Sequence, residues 1–147
     1  MTSQNNPERH IQRYAASFGS LREDTLDDLS ALLAEDVRFT DPFNAFSGKA
    51  QFMAIFQHMF KVMHNPHFEI LDIACSDSAG YIKWRMGGHL VSRPSFDMAL
   101  IGMSEVHFDN DGLVTDHIDH WDSASQLLVK IPVAGRFVRM LMRLFAH

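Results

Sequence analysis

The feature that most constrains this chain is a change of hydrophobic period part-way along it. Up to Asn65-Pro66 the apolar residues recur mostly at spacings of three and four. Beyond it they alternate over four long runs. Helices first and strands afterwards is an α+β order, in which a few helices cover one face of an antiparallel sheet. Asn6-Pro7 is a start signal for a first helix, with Asn as cap and Pro in the first turn. Ile11, Tyr14, Phe18 and Leu21 then share one face. A second helix is predicted over about Asp24 to Ala34, with Leu26, Leu29, Leu32 and Leu33 inward and Asp27 and Asp28 in its first turn. From Asp36 the period becomes two: Val37, Phe39 and Asp41 alternate with Arg38 and Thr40 until Pro42 ends the strand. A third helix opens near Ser47 and carries the wide stripe Phe52, Ile55, Phe56, Met59, Phe60 and Met63.

Four strands follow, read as His67 to Ser76, Gly80 to Val91, Phe96 to Phe108 and Leu113 to Trp121. Asp109-Asn110-Asp111-Gly112 is a turn signal that joins the last two as a hairpin. Strands of this length must curl, and helices on the concave side close an apolar pocket. From Ile131 to His147 there is no acidic residue. Arg136, Arg139 and Arg143 fall on one side of a helix predicted from about Val133 to Phe145, with Phe137, Met140, Leu141, Leu144 and Phe145 largely on the other. The expectation is a helix docked on the domain or on a second copy, with weak contact to a membrane surface as the alternative.

The 147 residues suit one domain with one core, and 46% are apolar, so disorder is expected only at the first few positions. Twelve Phe and nine Met imply a Met-rich core or a cavity lined by both types. A formal net charge of −5 argues against nucleic acid as a partner. The single cysteine, Cys75, excludes an intramolecular disulfide and argues against a thiolate zinc site. Met1 to Asn6 is polar and no apolar run approaches the length of a membrane span, so a cytoplasmic location is expected.

Period-two arithmetic then singles out polar residues on apolar faces. Asp41 shares a face with Val37 and Phe39, so its carboxylate is expected inward and largely buried, as a candidate general base or acid; a bond to the turn after Pro42 is the structural alternative. Tyr14 lies on the apolar side of its helix, where a phenol serves either a substrate oxygen or a backbone carbonyl. His117, Asp119 and Trp121 share one face of the last strand. A His–Asp pair there either tunes acid–base behaviour or is a satisfied pair at the rim of the core. Ser104 is the lone hydroxyl on the row Phe96, Met98, Leu100, Gly102, Ser104, Val106 and Phe108. Phe39, Phe56, Phe60, Leu100, Ser104 and Trp121 are the expected pocket lining. No metal and no cofactor is expected. A single helical layer covers one sheet face only, so the other, carrying Lys83, Arg85, Glu105 and His107, is predicted to form a homodimer.

Two stretches carry a family likeness. Arg13-Tyr14 followed by Leu33-Ala34-Glu35-Asp36-Val37-Arg38-Phe39-Thr40-Asp41-Pro42-Phe43 resembles the first helix and first strand of ketosteroid isomerase. Val106 to Val114, with His120-Trp121 after it, resembles that enzyme's last hairpin. The order of elements over about residues 8–126 is similar to the wider nuclear transport factor 2-like superfamily, including SnoaL-like polyketide cyclases. The resemblance implies a cone-shaped α+β fold (cystatin-like), with a strongly curved, mainly antiparallel sheet, three covering helices and an added C-terminal amphipathic helix. It implies Asp41 as a base and Tyr14 as an oxyanion donor, the arrangement in which ketosteroid isomerase pairs an Asp base with a Tyr and a protonated Asp. Ser104 falls where the second donor is expected, and Asp119 resembles the last-strand acid of the cyclases. The implied activity is isomerase, cyclase or hydratase chemistry on a small apolar carbonyl compound. The alternatives are a non-catalytic binder of a hydrophobic molecule in the same pocket and a dimerising interaction domain.

Overall fold

A computed structural model describes residues 6–146, and the expectation for the first few residues lies outside them. Asn6 caps the first helix as expected: its Oδ1 accepts from the backbone N–H groups of Glu8 (3.1 Å) and Arg9 (3.4 Å). That helix, α1 (Pro7–Gly19), buries Ile11, Tyr14, Ala15 and Phe18. A one-turn 3-10 segment, Glu23–Thr25, leads into α2 (Leu26–Ser30), which is shorter than predicted. Leu33 belongs to β1 (Leu33–Thr40) instead, because it pairs with Val114 of the last strand. Both Leu33 and Ala34 are buried, and a register shift between Leu33 and Arg38 restores the alternation at Val37 and Phe39. The short β2 (Ala45–Ser47), which the sequence pattern did not reveal, returns along β1. Gly48, with φ of 115°, precedes α3 (Lys49–Val62) in place of the expected Ser47 cap.

Four long strands complete the sheet: β3 (Met63–Cys75), β4 (Gly80–Leu90), β5 (Phe96–Phe108) and β6 (Val114–Trp121). The order is β2-β1-β6-β5-β4-β3, with β1 and β6 parallel and every other pair antiparallel. β3 starts earlier than His67 because Asn65-Pro66 does not interrupt it. Pro66 lies on an edge strand beside a register shift, where its missing N–H costs no ladder bond. α1 and α3 lie across the concave face, and one apolar cluster forms between them and the sheet. Each Phe, Leu or Ile buried there contributes about 1.5–3 kcal/mol.

The convex face has no covering layer, and Leu71, Ile101 and Met103 are exposed on it. Beyond β6 come α4 (Ser123–Gln126), a 3-10 turn (Leu128–Lys130) and α5 (Ala134–Arg143). The last helix forms where predicted. Its docking on the domain does not: α5 packs on the Leu128–Lys130 turn and leaves Phe137, Met140, Leu141 and Leu144 exposed. Among the described residues no helix is long and apolar enough to cross a membrane.

One close approach fixes the middle of the sheet. Gly102 lies opposite Trp84 on β4 and Trp121 on β6. A Cβ at Gly102 would come 2.6 Å from the Trp84 ring and 2.9 Å from Trp121 Cβ. Gly102→Ala is therefore expected to displace the Trp84 indole and to cost about 1–3 kcal/mol. Denaturant unfolding monitored by tryptophan fluorescence checks it. An unchanged midpoint and spectrum would show that the indole does not lie on this glycine.

Candidate functional site

The site grows out of the β5–β6 register. Ser104 on β5 pairs directly with Asp119 on β6, and Phe39 on β1 pairs with His117. Residues two apart on a strand share a face, so His117 and Asp119 both project onto the concave side. His117 is 3% exposed and sits among Phe18, Phe39 and Phe52, with the Phe39 ring stacked on its own. Its Nε2 lies 2.8 Å from Asp119 Oδ1, and its Nδ1 lies 2.7 Å from the Tyr14 hydroxyl. Ser104 Oγ donates to the same Asp119 Oδ1 at 2.5 Å and accepts from Trp84 Nε1 at 2.9 Å.

These contacts assign the protons. Trp84 Nε1–H can only donate, so Ser104 spends its own proton on Asp119. A carboxylate accepts, so a neutral His117 carries its proton on Nε2 and offers the Nδ1 lone pair to the Tyr14 hydroxyl. Each member of the chain Trp84–Ser104–Asp119–His117–Tyr14 has at least one hydrogen-bond partner within it. Asp119 Oδ2 is left with no hydrogen-bond partner among the described residues. Burial, and then the negative charge of Asp119, push the Tyr14 phenol well above its usual range, so it stays protonated as the donor to His117.

Asp119 borders three spaces, one of them a shallow surface groove of about 370 Å³ shared with Thr40, Asp41, Pro42, Ile118, His120 and Trp121. An inner pocket of about 30 Å³ is bounded by Phe18, Phe56, Phe68, Ile70, Ile82, Trp84, Ser104, His117 and Asp119. That is room for one or two water-sized groups. An open cleft of about 350 Å³ has Asp119 and Asp41 on its wall, with apolar sides that include Phe39, Phe56, Met59, Met63, Met86, Met98, Leu100 and Trp121. Its volume is that of a small-molecule site.

Of the expected residues, His117, Asp119 and Ser104 come together, and Phe39, Phe56, Leu100 and Trp121 line the pocket or cleft. Phe60 lines none of these spaces; it packs partly buried against the core. Asp41 borders the cleft but is half-buried, not largely buried. Its carboxylate is taken up by the turn, accepting from the N–H groups of Phe43 (2.7 Å) and Asn44 (2.6 Å) and from Asn44 Nδ2 (3.0 and 3.1 Å). Pro42 ends the strand, and the chain folds back over the side chain. Tyr14 lines none of them and aims its hydroxyl at His117, so the geometry does not support an oxyanion-donor role. Trp84 had no expected part in the site. Its signal was there: a buried indole needs an acceptor, and its strand row faces Ser104. Among the described residues no group of three or more His, Cys, Asp or Glu side chains could hold a metal ion.

A curled sheet with helices on its concave side is the fold of solved structures described as nuclear transport factor 2-like. Solved structures with this fold include a hypothetical protein with a ketosteroid isomerase-like fold from Catenulispora acidiphila in complex with trimethylamine (TM-score 0.69, 18% identity, 89% of this chain and 98% of that one). Others are a protein of unknown function from Burkholderia pseudomallei (0.68, 19%, 82% and 94%) and a provisionally assigned polyketide cyclase from Xanthomonas campestris (0.67, 20%, 82% and 96%). At these identities the likeness is one of fold. Residues 11–117 match the SnoaL-like domain family, and the chain belongs to it. No curated protein matches closely enough to be counted a relative.

The buried phenol makes a pH-dependent prediction. In the unfolded chain Tyr14 ionises near its usual value of 10.0, while in the folded protein it holds its proton to higher pH. Its contribution is therefore complete below that value and is lost as pH rises through the folded pKa. Tyr14→Phe strands His117 Nδ1, which should cost about 1–3 kcal/mol at neutral pH. The variant should also lose part of the alkaline fall in stability. Denaturation midpoints across the alkaline range test this. Parallel pH profiles for the two proteins would mean that Tyr14 is not the buried donor.

Proposed function

We propose that this protein is a cofactor-independent acid–base enzyme of the isomerase, cyclase or hydratase kind, acting on a small, mostly apolar carbonyl compound, with Asp119 moving the proton. The observation that supports this most is the asymmetry of the Asp119 carboxylate. Oδ1 is held by Ser104 and His117. Oδ2 is free on a group that borders both the inner pocket and the cleft. A general base must be fixed in place yet keep one oxygen for the substrate, and two short bonds on one oxygen do that. His117 acts as a positioning residue through its Nε2–H, and Tyr14 fixes the His117 tautomer from behind. Ser104 is a relay between Trp84 and Asp119. Asp41 stands at the rim of the same cleft as a polar contact for the ligand, with proton transfer assigned to Asp119.

A second reading has its own observation. Four Met side chains line the cleft, and flexible thioethers adapt to varied ligands. A non-catalytic binder of a hydrophobic small molecule would use the cleft without needing a free Asp119 oxygen. Either function is compatible with a homodimer through the convex face, where Ile101 and Met103 are exposed beside Lys83, Arg85, Glu105 and His107.

Exchange of α-protons separates the readings. Small apolar ketones in deuterated buffer, followed by proton NMR, should lose their α-proton signals faster in the presence of the protein. Asp119→Asn keeps the shape and removes the base, so it should slow that exchange by a factor on the order of 10²–10⁴ while ketone binding stays nearly unchanged. Ketones that bind without enhanced exchange would favour the binder. An Asn variant with full exchange would remove Asp119 from the chemistry.

A further inference from the structure

The last helix shows its apolar side to solvent. Phe137 is 59% exposed, Met140 53%, Leu141 42% and Leu144 73%, with Phe145 just beyond at 84%. At 3.6 residues per turn these five fall within one arc, and Arg136, Arg139 and Arg143 fall in the opposite one. What holds α5 to the rest of the chain is on the arginine side. Gly135 is buried, close against the Val129 carbonyl, and Arg139 Nη1 donates to that same carbonyl oxygen at 2.8 Å. The anchoring contacts thus turn the apolar arc outward.

Charge says what can cover it. After Asp122 there is no acidic residue, while Lys130, Arg136, Arg139 and Arg143 carry four of the chain's thirteen positive charges. The preceding 122 residues hold the other nine, with all eighteen Asp and Glu, for a formal −9. Three arginines with no acidic neighbour therefore stand beside exposed Phe and Leu on one short helix, and the domain behind it is acidic. A helix with bulky apolar side chains on one side and arginines on the other lies in the plane of an anionic bilayer surface, with its apolar arc at the acyl boundary and its arginines at the headgroups.

We propose that α5 attaches the protein reversibly to anionic lipid surfaces, as a module separate from the chemistry assigned to Asp119. The helix is short, so the attachment is weak and needs both parts, the apolar arc and the arginines. Leu127, which lines the cleft, lies only a few residues before α5, so attachment would bring the cleft rim towards the lipid, where apolar ligands concentrate.

Vesicle flotation with the full chain tests this. Vesicles of phosphatidylcholine mixed with phosphatidylglycerol should carry the protein, pure phosphatidylcholine vesicles should carry little, and added salt should release it. Arg136→Gln with Arg143→Gln should lower partitioning about 25-fold, fivefold for each arginine withdrawn from the anionic surface. Phe137→Ser with Leu144→Ser should abolish it. All four side chains are exposed, so both double variants should keep the thermal midpoint and the α-proton exchange of the parent. Lack of flotation on the anionic vesicles at low salt would overturn the proposal, as would variants that partition like the parent. Sedimentation that shows the Phe137→Ser/Leu144→Ser protein dissociating from a dimer, with no vesicle binding by the parent, would instead assign the arc to a second copy of the chain.

Discussion

Two hydrogen bonds to one oxygen, from Ser104 and His117 to Asp119 Oδ1, organise the concave face of this protein. A carboxylate 17% exposed among aromatic side chains is costly unless its lone pairs are used, and a carboxylate with all of them used could do nothing. The structure satisfies one oxygen and frees the other. Everything around Asp119 serves that division. Trp84 directs the Ser104 proton, Tyr14 directs the His117 proton, and Gly102 gives the Trp84 ring the space it needs to reach Ser104. The parallel pairing of β1 with β6 brings Phe39 onto the His117 ring and closes the apolar cage.

The faces of the strands could be read from the sequence because a period of two leaves little freedom. His117, Asp119 and Trp121 fell on one side, and Ser104 stood out as the lone hydroxyl on its row. What could not be read was which of these groups would touch. The contacts depend on the β4–β5–β6 register, which sets Ser104 directly opposite Asp119 and places Trp84 opposite Gly102, so that its indole reaches Ser104 diagonally, and sequence spacing carries no information about register between strands. Tyr14 illustrates the limit. Its inward position was legible from the helix period, but its donation to His117 rather than into the cleft depends on how α1 crosses the sheet. Asp41 shows the opposite case. Its strand face was legible, yet a local preference prevailed, since an Asp just before Pro is well placed to bind the following turn through its own side chain. The spacing of the leucines puts Leu33 on the inner face of a helix, and it lies in a strand because its partner Val114 is far along the chain.

The resemblance to ketosteroid isomerase and the SnoaL-like cyclases gave the fold, and the family match bears this out. It did not give the site intact. The position that implied an oxyanion donor holds Ser104, which here serves Asp119, and the position that implied a base holds Asp41, which here serves its turn. The proposed chemistry has thereby moved to β6. Helix α5 lies outside the matched residues, and its exposed apolar arc is a feature the fold does not need for its own core. The protein combines a common α+β cone with a rearranged proton network and a separate amphipathic element.

The direction of the protons in that network is the central claim, and nitrogen-detected NMR of the His117 imidazole measures it most directly. The network predicts the tautomer with its proton on Nε2, hydrogen-bonded to Asp119, and a bare Nδ1 that accepts from Tyr14. Asp119→Asn should shift the Nε2 signal strongly, and Tyr14→Phe the Nδ1 signal. A proton found on Nδ1 of neutral His117 would contradict the account, because Asp119 Oδ1 would then receive nothing from His117 and the division of its two oxygens would fail.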